Sequence, residues 1–113
     1  MNIAMRSAGN VAVLDVTGEV DLYHSPTLLA KLTELIKQQQ KIILLNFQGV
    51  TYIDSSGLAS LIGAFQQMRP QGGQLLLANV SKQVHSVFTV ARLDKVFTIH
   101  ATETSALQAF GVS

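Results

Sequence analysis

The run SPTLLAKLTELIKQQQKIILL, from Ser25 to Leu45, changes its hydrophobic period midway and so decides the fold. Ser25-Pro26 reads as a helix start, an N-cap hydroxyl followed by a proline where no backbone donor is lost. Leu28, Leu29, Leu32, Leu35 and Ile36 follow at helical spacing and turn one apolar stripe toward a core. Lys37 and Lys41 suit the negative end of that helix's dipole. Ile42-Ile43-Leu44-Leu45 is then apolar without a break, the pattern of a parallel strand covered on both faces.

The same alternation extends in both directions. Upstream, Asn2 to Met5 reads as a short edge strand, Gly9-Asn10 as a tight turn, and Val11 to Val16 as a buried strand paired with the first in a hairpin. Gly18-Glu19-Val20-Asp21 reads as the loop leaving it, with Glu19 solvated. Downstream, Asn46 to Thr51 leads to Tyr52-Ile53-Asp54-Ser55-Ser56-Gly57 and a second helical stripe, Leu58, Leu61, Ile62 and Phe65, ended by Pro70 and Gly72-Gly73. Leu75 to Ala78 is another buried strand. Ser81 caps a third helix carrying Val84, Val87, Phe88 and Ala91. Val96 to Ile99 forms a last strand, and Thr102 caps a final helix carrying Ala106, Leu107 and Phe110, with Gly111 at its stop. Strands alternating with helices predict one α/β domain over residues 1–113: a mixed, largely parallel sheet of four to five strands with about four helices.

Bulk composition narrows the function. A chain of 113 residues buries roughly two-thirds of its unfolded surface, enough for a core without covalent staples. Charged residues make up only 13% of the chain, leaving a bland exterior suited to contact with another protein. The eight Lys and Arg are scattered singly, which argues against direct nucleic-acid binding. Without cysteine there is no disulfide and no thiolate metal site, as fits a reducing compartment. The N-terminus lacks a charged leader with a long apolar run, and the apolar stretches are too short to cross a bilayer, so a cytoplasmic protein without membrane insertion is expected. No cofactor is expected either: Gly72-Gly73 reads as a turn, with no phosphate-binding Gly-Lys loop and no cluster of His ligands. His24, His85 and His100 show no arrangement with a serine, and no Gly-x-Ser-x-Gly elbow occurs, so an enzyme is not expected.

Chemistry concentrates where Asp54-Ser55-Ser56-Gly57 turns into the helix near Leu58. A helix N-terminus carries unpaired N–H groups and partial positive charge, and so accepts a phosphate. One serine at such a place ordinarily serves as the N-cap. Two adjacent serines leave one spare, and Gly57 removes a side chain beside them, giving another protein room to approach. Asp21, if its strand runs parallel to the one ending near Leu45, shares that sheet edge; it also suits a plain turn. Leu58 reads either as core or as a half-exposed anchor for a partner.

The segment from Tyr52 to Leu58, preceded by Gly18-Glu19-Val20-Asp21 and followed by Gly72-Gly73-Gln74-Leu75, resembles the STAS domain of bacterial anti-sigma factor antagonists over nearly the whole chain. The resemblance implies a partner-switching protein that binds an anti-sigma factor, itself a serine kinase of the histidine-kinase-like ATPase fold, and so frees a sigma factor. It implies phosphorylation on the serine directly after the Asp, here Ser55, and reversal by a serine phosphatase. Asp21, Asp54, Ser56, Gly57 and Leu58 become the expected partner-binding residues. Ala59 departs from a common second glycine, and Tyr23-His24 fills a loop that varies in the family. STAS-like domains also serve as constitutive subunits of lipid-transport and stress-signalling complexes, a role that does not need Ser55.

Overall fold

The computed structural model describes residues 1–112. Strand β1 (Asn2–Ala8) pairs antiparallel with β2 (Val11–Val20). β3 (Ile42–Ile53), β4 (Gln74–Ala78) and β5 (Thr98–His100) follow in parallel, in the sheet order β1-β2-β3-β4-β5. Helices α1 (Ser25–Lys37), α2 (Ser55–Met68) and α3 (Lys82–Val90) make the crossovers, and α4 (Glu103–Gln108) follows β5. The mixed, largely parallel sheet and four helices are the architecture expected from the alternation of periods. No helix among the described residues is long and apolar enough to cross a membrane.

Crossovers of one hand that step in one direction across a sheet fall on one face. The main core accordingly joins Leu14, Val16, Ile43 and Leu45 to Leu28, Leu32, Leu61, Val84 and Phe88 of α1, α2 and α3. The opposite face of the sheet carries a smaller cluster of Val11, Val13, Leu44, Leu76 and Ala78, covered by Ala106 of α4 and by Leu107, Phe110 and Val112. At the N-terminal end of α4 that face turns polar. Arg6 there binds Asp15 at 2.6 and 2.8 Å and Glu103 at 2.6 and 3.1 Å, and Asp15 also accepts from Asn46 Nδ2.

Several boundaries differ from the sequence reading. β2 runs on through Gly18-Glu19-Val20, which read as a loop, and β3 through the whole of Asn46–Ile53. In the β3 extension buried Phe47, Val50 and Ile53 alternate irregularly with polar residues, and two register shifts between β2 and β3 break the period. α2 starts at Ser55 rather than near Leu58, and β5 is Thr98–His100 rather than Val96–Ile99. Ser25 is not a cap: it is buried inside the first turn of α1, whose cap position is His24 without a side-chain bond. The carboxylate of Asp21 instead accepts from the backbone N–H groups of Tyr23 and His24, and its carbonyl accepts from Ser25 N–H at 2.8 Å.

Near their C-terminal ends β2 and β3 still pair, Val20 opposite Ile53, and Asp54 N–H reaches Val20 O at 3.4 Å. The first turn of α2 is then laid directly against β2. Its closest point is Gly57, where a Cβ would stand 2.5 Å from Val20 O and 2.7 Å from Ile53 Cγ1. Gly57→Ala should therefore destabilise the domain by about 2 kcal/mol despite alanine's better helix propensity, because the clash is with backbone that cannot yield. Gly63→Ala on the same helix, with only Leu29 Cδ1 at 3.8 Å, should be neutral or stabilising, and urea unfolding of the pair distinguishes them. Asp15 supplies a second test. The Arg6 hydrogen bonds hold its carboxyl below the usual range against partial burial, with help from Asn46 and the Arg6 charge. A depressed folded pKa adds stability above the unfolded value near 4 and loses it as pH falls through the folded value. Asp15→Asn should cost about 1 kcal/mol at pH 7, and the gap from the parent should close below about pH 4 in acid unfolding curves.

Candidate functional site

Asp54 leaves β3 in an extended conformation and caps α2, its Oδ1 accepting from Gly57 N–H at 3.0 Å. Neither serine is needed as the cap. Ser55 is exposed and Ser56 half-buried, so the first helical turn presents an uncommitted hydroxyl to solvent. The N–H groups of Ser55 and Ser56 occupy the first helical positions, where no helix carbonyl can accept them. An anion on Ser55 Oγ would stand beside them.

Behind this turn, buried Ser60 ties the two helix starts together, its hydroxyl lying 3.2 Å from the carbonyl oxygens of both Ser25 and Ser56. Asp21 lies on the same edge, since Val20 and Ile53 are register partners and Asp21 and Asp54 are the next residues. Its role is that of an organised turn: besides the two backbone N–H groups, Oδ1 meets His24 Nδ1 at 2.7 Å. Partial desolvation raises the Asp21 carboxyl, and the bonds from His24 and Tyr23 together with the His24 charge overcome this, leaving it below the usual carboxylate range.

Two expected contacts are placed differently. Gly57 is buried against β2, so its missing side chain serves packing inside the domain rather than the approach of another protein. Leu58 is 7% exposed and part of the main core, not a half-exposed anchor. One edge of Leu58 still reaches the surface, where Ser55, Leu58, Ser86, Val87, Val90 and Ala91 line an open concavity of about 380 Å³. The α3 side of this concavity goes beyond what the sequence reading places at the site. Val84 and Phe88 take the core positions of the α3 stripe, whereas Val87 is half-buried, Ala91 is exposed and Val90 is 86% exposed. Spacing hints at this, because Val87 and Val90 stand three apart on a face that Val84 and Phe88 do not share fully. Tyr23, which the sequence reading places in a variable loop without stating its exposure, stands with Leu22 beside Asp21, 84% and 65% exposed.

The histidines keep local company: His24 with Asp21, His85 with Thr89 Oγ1 at 3.3 Å, and His100 with Ser105 Oγ at 3.3 Å. Among the described residues none of them bonds to Ser55 or Ser56, and no three His, Asp or Glu side chains gather where they could share a metal ion. The arrangement holds an exposed hydroxyl at a helix N-terminus beside an apolar surface. Such a site can accept a covalent phosphate and can dock a protein.

Comparison with known proteins agrees over the same span. Residues 2–106 match the STAS domain. The anti-sigma-B factor antagonist of Bacillus subtilis is 30% identical over 108 residues, covering 96% of this chain and 98% of that protein. The solved structure of the anti-sigma factor antagonist SpoIIAA in its unphosphorylated form superposes with a TM-score of 0.75 at 23% identity, covering 96% of this chain and 97% of that one. Bacillus SpoIIAA in the phosphorylated form does so with a TM-score of 0.75 at 24% identity, covering 96% and 99%. The two structures speak to the fold, and the match of sequence along nearly the full length speaks to descent. The chain belongs to the STAS domain family.

Proposed function

We propose that this chain is an anti-sigma factor antagonist, whose unphosphorylated form binds an anti-sigma factor and so releases a sigma factor. The partner is a serine kinase of the histidine-kinase-like ATPase fold, phosphorylation of Ser55 prevents binding, and a serine phosphatase restores it. The observation that carries this reading is the Ser55 hydroxyl: exposed, spared from capping by Asp54, and set on the rim of an apolar concavity. Near-full-length likeness to an anti-sigma-B factor antagonist supports the choice of partner class.

The chemistry follows from that placement. In the kinase reaction Ser55 Oγ attacks the γ-phosphorus of ATP, the Oγ–P bond forms as the bond to the β-phosphate oxygen breaks, the hydroxyl proton passes to a base of the kinase, and ADP leaves. The product adds about −1.5 to −2 charges to an edge that already carries Asp54, Asp21 and Glu19. Leu58, Val87 and Val90 beside it would be covered by a docked partner, so the phosphate would have to shed water against apolar surface and any acidic groups opposite. A penalty of about 4 kcal/mol weakens binding roughly a thousandfold. The free N–H groups and the dipole of α2 meanwhile favour the phosphate locally, so the domain keeps its fold. Asp21 and Asp54 shape the docking edge through the turns they cap, Ser56 continues it, and Gly57 and Leu58 support it from beneath.

Incubation with ATP and the host's anti-sigma factor kinases, followed by mass spectrometry, tests the assignment. One phosphate should appear on the parent chain and none on Ser55→Ala, which should still bind the kinase. Phosphate retained on the variant would move the site elsewhere. A parent chain that binds its partner tightly yet accepts no phosphate would favour a constitutive subunit.

A further inference from the structure

The loop between β2 and α1 carries two of the most exposed large apolar side chains of the protein, Leu22 at 65% and Tyr23 at 84%, and neither belongs to either hydrophobic cluster. Turns are ordinarily polar, and exposed apolar groups gathered beside a functional site mark contact with a partner. This turn is also closely hydrogen-bonded. Asp21 fixes it with its carboxylate on Tyr23 N–H, His24 N–H and His24 Nδ1, and with its carbonyl on His24 N–H and Ser25 N–H. Its position is set by β2: Val20 pairs with Ile53, Val20 O accepts from Asp54 N–H, and Ser60 Oγ links Ser25 to Ser56, so residues 21–25 and 54–57 are neighbours.

We infer that Tyr23, backed by Leu22, is the specificity element of the Ser55 interface, an aromatic prong that enters an apolar recess on the same kinase that docks over Ser55. The inference rests on the reading of Ser55 given above and deepens it. Ser55 and the turn around it offer a partner a hydroxyl, backbone donors and small side chains, which report the phosphorylation state but distinguish poorly between related kinases. A tyrosine held on a fixed turn distinguishes well. It buries a large ring, loses little conformational freedom on docking, and belongs to the residue types that dominate interface energetics. The flanking segments 18–24 and 51–58 contain Glu19, Asp21 and Asp54 and no Lys or Arg, and their one basic group, His24, is held by Asp21 at 2.7 Å, so charge on these segments offers a partner little attraction in place of the ring. Val90, 86% exposed on the far side of the concavity, continues the apolar surface of the same docking face. Asp21 is a positioning residue, acting on the partner through the turn it holds.

Steady-state phosphorylation of Ser55 by the kinase identified with the parent chain provides the test. Tyr23→Ala and Leu22→Ser should leave the melting temperature unchanged, because both side chains are exposed. Tyr23→Ala should raise KM about 30-fold, the effect of truncating a dominant contact residue, while kcat stays within about twofold because Tyr23 does not touch the reacting atoms. Tyr23→Phe, which keeps the ring, should restore KM to near the parent value. A KM for Tyr23→Ala and Leu22→Ser within about twofold of the parent would overturn the inference while leaving the Ser55 assignment intact. A parent chain that gains no phosphate on Ser55 from any such kinase would instead overturn both.

Discussion

The parallel pairing of β2 with β3 continues to Val20 and Ile53, and from that last pair the functional edge is built. Two chain segments leave the sheet there side by side, one into the Asp21 turn and the other into the cap of α2. Because Gly57 has no Cβ, the first turn of α2 packs directly onto Val20 O of β2. Ser60 adds a bond to Ser25 and fixes α1 to the same reference. A hydroxyl, two capping carboxylates and an exposed aromatic ring are thereby held within one small patch by backbone geometry, with little reliance on long flexible side chains.

That construction separates the two demands of a switch. The groups that hold the fold near the site, Gly57, Leu58 and Ser60, are buried, and the group proposed to change charge, Ser55, is not. A phosphate at the start of a helix meets free N–H groups and a favourable dipole, whereas the same phosphate beneath a docked partner meets apolar surface. Stability and binding therefore respond differently to one chemical event. The polar network of Arg6, Asp15, Asn46 and Glu103 lies on the opposite face of the sheet from α1, α2 and α3 and serves a different purpose, fastening α4 over the smaller core.

The architecture and the candidate serine are both legible in the amino-acid sequence, for identifiable reasons. Ile42 to Leu45 is apolar because helices cover both of its faces, and that pattern has few other readings. The second half of β3 is not legible, because α4 is short and leaves Asn46 and Gln48 on the polar part of its face, while register shifts spoil simple alternation. Two helix starts depart from local expectation. At α1 the cap position falls to His24 without a side-chain cap, with Asp21 ordering the turn before it, and at α2 Asp54 takes the cap that a serine, judged locally, would fill. The second departure matters for function, since it is what frees the Ser55 hydroxyl. Burial of Gly57 and Leu58 cannot be read from spacing, because it depends on how closely β2 runs beneath α2. The exposure of Tyr23 is equally silent, as a loop aromatic carries no period.

A charge on Ser55 that repels a partner without unsettling the domain is tested most directly by one paired measurement. The dissociation constant for the anti-sigma factor kinase and the melting temperature are determined on the same chain before and after stoichiometric phosphorylation of Ser55. Affinity should fall by about a thousandfold while the melting temperature moves by no more than a few degrees. Unchanged affinity would contradict the account, and so would affinity lost together with a collapse of the fold.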